Sequence, residues 1–201
     1  MIRILPIIIM ISLLLGCSSS SPPPKYFTLS SFASPKPAES SLSRNETIVI
    51  GIGPVEIPDY LDKPEIVTRT LSNELTLSEF NLWGGSLKKD VTRVLIENIS
   101  SFLVSEPVTI VPWRAHVPGS YRIPIYLFRL DAIPDGTVSL KAKWGIVAKD
   151  GKTVMAIRES SITKPVKGKE YNDTVNAMSD VLTDLSKEIA SAIKVVVSRA
   201  N

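Results

Sequence analysis

From Val138 to Ala148 the chain alternates. Val138, Leu140, Ala142, Trp144, Ile146 and Ala148 fall on one parity, and Ser139, Lys141, Lys143, Gly145 and Val147 on the other. Side chains of a strand point to opposite faces in turn, so this is the pattern of a half-buried strand. Pro134-Asp135-Gly136 turns into it and Asp150-Gly151 turns out of it, toward a further strand over 153–162. Asp-Gly between apolar alternations is a strong hairpin signal. With the β-rich run 121–131 upstream, three strands joined by tight turns predict an antiparallel meander. Residues 47–57 are β-branched and apolar and read as a central strand, broken near Pro54 where a ladder donor is lost. Shorter strands are expected at 26–32, at 66–71 and 74–79 as a hairpin around Ser72-Asn73, and at 107–112. Loops are expected at 33–46 and 113–120.

Two segments repeat at helical spacing instead. After the Gly84-Gly85 break, Ser86 can cap a helix whose apolar face is Leu87, Val91, Val94, Leu95, Ile99 and Phe102. Near the end, Tyr171, Val175, Met178, Leu182, Leu185, Ile189, Ala192 and Val196 follow at steps of three and four, a helix of about 25 residues with one apolar stripe. That spacing admits a coiled coil, but the flanking charge pattern is thin, and packing across a sheet is the favoured reading. The class expected is therefore α+β, an antiparallel sheet packed against two amphipathic helices.

The first sixteen residues follow neither period. Residues 4–15 are apolar apart from Pro6 and Ser12, and Arg3 is the only charge before them. A short positive start, an apolar stretch and a small residue at its end describe an export signal; a transmembrane helix needs ~20 apolar residues. A membrane anchor or a buried helix is the alternative. Leu14, Leu15, Gly16 and Cys17 resemble the bacterial lipobox, with Leu15 where a smaller residue is more usual. That resemblance implies cleavage before Cys17 and a mature N-terminus bearing an S-diacylglycerol and an N-acyl chain such as palmitate. A single acyl chain binds membranes only marginally, so three should anchor the protein durably. The next residues, SSSSPPPK, read as a solvated tether reaching roughly 25 Å. Ser18 in place of Asp resembles outer-membrane sorting. The expected organisation is a signal at 1–16, lipidated Cys17 with its tether to 25, and one domain over 26–201.

Composition narrows the chemistry. One cysteine excludes an internal disulfide and cysteine-based zinc sites, and one histidine leaves a single imidazole for any triad or cluster. His116 sits in a loop without neighbours at metal-ligand spacing. Gly51-Ile52-Gly53 is too short for a dinucleotide fingerprint, and the phosphate-loop and nucleophile-elbow motifs are missing. Asp59 and Asp62 lie in turns, where solvated turn-formers are ordinary. A net charge of +3, with basic residues scattered, does not argue for nucleic acid. Lys141 and Lys143 on one strand face, and Lys164, Lys167 and Lys169 in one loop, read as solvated; contact with anionic headgroups is the functional alternative. No catalytic residue, metal or cofactor is expected. Trp144 should pack in the core, while Trp83 and Trp113 fall in loops and could anchor an interface.

Several stretches occur together in order: Tyr26-Phe27-Thr28-Leu29, GPVEIPDYLDKPEIVTR over 53–69, Asn73-Glu74-Leu75, Leu82-Trp83, Val111-Pro112-Trp113, Phe128-Arg129-Leu130-Asp131 and Leu140 to Trp144. This order resembles the PqiC (YmbA) family, the ABC-type transport auxiliary lipoproteins, across residues 26–196. Gly84-Gly85 departs from the more usual continuation after Trp83. The resemblance implies an outer-membrane lipoprotein facing the periplasm in an MCE-type intermembrane lipid transport system. Its role would be a non-catalytic docking adaptor for a PqiB-like MCE protein, and self-association into a ring is left open. Asp59, Tyr60, Leu61, Trp83 and Trp113 are the candidate partner contacts. A structural or assembly lipoprotein without a transport role is the alternative.

Overall fold

The computed structural model describes residues 21–32, 48–71, 73–113, 121–133 and 136–200. Its centre is the expected meander: β6 (Tyr121–Ile133), β7 (Thr137–Val147) and β8 (Val154–Pro165), paired antiparallel in sequence order. The alternation of β7 translates directly into burial, with Val138, Leu140, Ala142, Trp144 and Ile146 in the core. β2 (Ile48–Glu56) lies parallel beside the first half of β6, and β5 (Val108–Pro112) lies parallel beyond it. The expected interruption of β2 is present: the Gly53–Pro54 bond is cis, Gly53 has φ +121°, and the register shifts between Ile52 and Val55.

β3 (Glu65–Leu71) and β4 (Glu74–Trp83) form the expected hairpin, and β3 meets the second half of β6 where Thr68 faces Ala132. One edge of β6 is thus shared by β2 and then β3, so the sheet forks. The α+β class holds, and the sheet is mixed rather than wholly antiparallel. The tight hairpins give the antiparallel pairs, and the parallel pairs are those joined by longer crossovers.

The first strand corrects its expected length. β1 (Lys25–Phe27) pairs parallel with β4 for three residues and then leaves the sheet. Residues 28–32 run over the helices instead. There the Leu29, Ser30 and Phe32 amides donate to Asp90 Oδ2 (2.6 Å), Ser179 Oγ (3.0 Å) and Asn98 Oδ1 (2.6 Å). Side chains satisfy these backbone donors in place of a ladder.

Both helices pack on one face. α1 (Leu87–Phe102) is capped by Ser86, whose hydroxyl accepts from the Lys89 amide, and buries Leu87, Val91, Val94, Leu95 and Ile99 as expected. α2 (Tyr171–Ala200) buries the expected stripe from Val175 to Ala192 and an adjoining one through Val181, Ser186, Ala190, Ile193 and Val197. The second stripe exists because α2 packs against α1 as well as across β6, β7 and β8, which decides for sheet packing over a coiled coil. Polar groups in this layer are paired: Trp144 Nε1 donates to Ser160 Oγ at 2.9 Å, and that hydroxyl donates to Glu188 on α2.

The signal segment, with Leu14, Leu15, Gly16 and Cys17, lies outside the described residues, as do the loop at 33–46, Ser72, the Pro134-Asp135 turn and the loop carrying His116.

Candidate docking surface

Two of the quoted sequence stretches, 53–69 and 128–131, converge on one carboxylate. Asp131, near the end of β6, is fully buried at 0% exposure. Its Oδ2 accepts from Arg69 Nη2 at 3.0 Å and from the Tyr60 hydroxyl at 3.1 Å, and the Arg129 guanidinium stands 3.7 Å from Oδ1. Arg69 also lies 5.9 Å over the Tyr60 ring. Burial, reinforced by the Asp131 charge, pushes the Tyr60 hydroxyl up to about 12. A phenol so raised stays protonated at neutral pH and acts as a donor rather than a nucleophile or base. The cluster therefore latches the 57–64 turn and β3 to β6; a buried ion pair of this kind resists loss of either partner.

The candidate contacts divide. Asp59 is exposed in the turn, where its carbonyl accepts from the Asp62 amide at 3.3 Å. Tyr60 is half-buried and committed to Asp131. Leu61 and Trp83 are 2% and 5% exposed, so neither presents a surface to a partner. Both are corrections. Leu61 turns inward into the hydrophobic core, and Trp83 ends β4, its amide bonded to Pro64 O at 2.7 Å, instead of lying in a loop. Trp144 is in the core as expected.

Trp113 is half-exposed just beyond β5, its amide bonded to Ile52 O at 2.8 Å and its ring under the Arg122 guanidinium at 5.4 Å. Gly51 makes room for it: a Cβ there would lie 2.6 Å from Trp113 Cε3. The Gly51-Ile52-Gly53 pattern thus serves an indole ring. Beside Trp113, a recess of about 420 Å³ runs between Pro54 and the start of α1, where Lys88 pairs with Glu56 at 2.6 Å.

The sheet face opposite the helices is where sequence reasoning stopped short. Tyr126 and Phe128, with rings 4.8 Å apart, stand exposed on β6; Val154, Met155 and Ile157 stand exposed on β8, Ile157 at 63%. Among the described residues no element covers them. The signal was available, because Tyr126 and Phe128 alternate with buried Ile125 and Leu127 and so make β6 apolar on both parities. Between the two walls, over Gly145, lies an apolar groove of about 280 Å³ that also reaches Pro54. On this face Lys141 pairs with Glu159 at 2.8 Å, whereas Lys164 lies on the helix side of β8 and pairs with Asp184 of α2 at 2.6 Å.

No three His, Cys, Asp or Glu side chains among the described residues are grouped to hold a metal. No helix among them is long and apolar enough to cross a membrane.

The family model described as ABC-type transport auxiliary lipoprotein component matches residues 27–190. The chain belongs to this family. Two solved structures are similar to this auxiliary lipoprotein in fold. One is an uncharacterized protein, 17% identical, with TM-score 0.72 over 86% of this chain and 99% of its own. The other is a protein from Xanthomonas campestris, 16% identical, with TM-score 0.65 over 83% and 92% of the two chains. A search of the curated proteins finds no match. The family span covers both the Asp131 latch and the uncovered face of the auxiliary lipoprotein's sheet.

Proposed function

We propose that this auxiliary lipoprotein is a non-catalytic docking adaptor held at the periplasmic face of the outer membrane by lipidated Cys17, receiving a PqiB-like MCE protein of an intermembrane lipid transport system. The observation that carries the docking role is the uncovered apolar sheet face of Tyr126, Phe128, Val154, Met155 and Ile157. Large contiguous apolar surface on a folded domain marks an interaction site. Arg122 and Trp113 flank it and supply the aromatic and guanidinium groups that dominate interface energetics. The described chain begins at residue 21 and enters the fold at β1, on the branch of the sheet away from β8. Chain entry at β1 and the docking face thus lie on different branches of the sheet, which supports a reading in which a partner reaches the face while the tether stays on the membrane.

The test is capture of a candidate MCE partner by the full-length protein in detergent, with Tyr126→Asp and Ile157→Asp as face variants. Both positions are exposed, so folding is expected to persist, checked by circular dichroism. Capture by the wild type and its loss in both variants is the expected result. Equal capture by all three, or none by the wild type, would sink the proposal. Fractionation of Cys17→Ala checks the anchor separately: retention in the outer membrane at high salt would count against it.

A further inference from the structure

The groove over Gly145 has a more specific chemistry than the face around it. Its walls are Pro124 and Tyr126 on β6 and Val154 and Ile157 on β8, and its floor is β7. β7 pairs with β8 along its length and with β6 except at Gly145 and Ile146, where Pro124 stands opposite Gly145 without an N–H. Backbone donors and acceptors of a sheet lie in its plane, so the floor turns none up into the groove, and a peptide laid across it would bury amides without partners. A hydrocarbon chain has no such groups to satisfy. At about 280 Å³ the groove is smaller than the ~300–1,000 Å³ of sites that enclose a whole small molecule, and suits part of one chain.

Charge at the mouth selects the other end of the ligand. Two acids are near, and each is already matched: Glu56 by Lys88 at 2.6 Å and Glu159 by Lys141 at 2.8 Å. Lys143, which lines the groove, is exposed and faces Glu159 across the ladder, so that with Lys141 two cations stand against this one acid. The charge left over at the mouth is positive.

We propose that this groove holds one acyl chain of an anionic phospholipid, with the lipid phosphate beside Lys143. The proposal rests on the lipid-transport reading above and deepens it. The adaptor handles lipid itself, in addition to holding a partner that does.

The probe is phosphatidylglycerol with a diazirine at the end of one acyl chain, supplied in vesicles to the full-length protein and irradiated. Adducts mapped by mass spectrometry should fall on peptides containing Pro124, Tyr126 and Ile157. Lys143→Gln should lower them about fivefold, the loss of one near-surface cation, and make labelling by the phosphatidylcholine analogue comparable. Ile157→Glu, at a position 63% exposed and so tolerant of change, should lower adducts about tenfold by placing a charge against the chain. Adducts elsewhere, or adducts unchanged in both variants, overturn the proposal. Equal wild-type labelling by the two headgroups overturns it too. Partner capture run alongside separates the two readings. Capture without groove adducts removes the lipid site and leaves the adaptor; groove adducts without capture do the reverse.

Discussion

Replacing Asp131 by alanine should destabilise the fold by about 3–5 kcal/mol, the cost of breaking a buried ion pair from one side. The structure gives the reason for a value in that range. Asp131 is fully buried, and Arg69, only 13% exposed, would lose the carboxylate that faces it at 3.0 Å. Tyr60 would lose the acceptor of its hydroxyl as well. For a chain of this size each kcal/mol moves the unfolding midpoint by about 2–4 °C, so a loss of roughly 6–20 °C is expected. Urea unfolding of the full-length protein in detergent, followed by tryptophan emission, measures the free energy directly. The double replacement Arg69→Met with Asp131→Leu removes both charges and should recover more than half of the loss, since apolar residues of similar volume commonly substitute well for a buried pair. A single-variant loss below about 1 kcal/mol would place the pair in the weak, solvated class and refute the latch. So would a double variant as unstable as Asp131→Ala, which would shift the cause from charge to packing.

Tyr60 predicts an alkaline limit. Its hydroxyl ionises near 10 when unfolded and near 12 when folded, so the folded state holds the proton longer. Its contribution is full below pH 10 and is lost as the pH rises through 12, by about 1 kcal/mol once solvent screening of the half-exposed ring is allowed for, and Tyr60→Phe should flatten that slope in stability measured from pH 9 to 12. Gly51→Ala should push the Trp113 ring from its seat, costing about 1–3 kcal/mol and changing emission from Trp113 while buried Trp83 and Trp144 stay put; an unchanged spectrum and midpoint would contradict the seat. Leu29→Ala should cost about 2–5 kcal/mol and raise amide exchange at residues 29–32, because Leu29 fixes the segment that crosses both helices; a loss confined to residues 25–27 would argue against it.

Much of the fold was legible before any coordinates. The β7–β8 hairpin follows from alternation and Asp-Gly, and α1 from its cap and its three-and-four spacing, because both signals are local. β1 failed at Ser30 and Phe32 for a physical reason. Their amides bond to Ser179 and Asn98, residues 149 and 66 positions away, so the competing partner was invisible in the local pattern. β4 ran on to Trp83 for a related reason, since β1 and Pro64 supply bonds that a loop would have left unmade. The candidate site was half legible. Asp59 and Trp113 do reach the surface, whereas Leu61 and Trp83 do not, and burial depends on what the rest of the chain places over a residue.

What the sequence by itself determined is the set of elements and the parities and stripes they bury, together with the scarcity of histidine and cysteine that turns the reading away from catalysis. Each depends only on near neighbours and on counts. What the tertiary structure alone decided is the sharing of one β6 edge between β2 and β3, the meeting of Tyr60, Arg69 and Asp131, and the sheet face that the two helices leave uncovered. The first two bring together residues separated by 60 or more positions, such as Arg69 and Asp131 at 62. Closing such loops is compensated only by packing and pairing made across the whole domain, and no local window of the chain contains those terms.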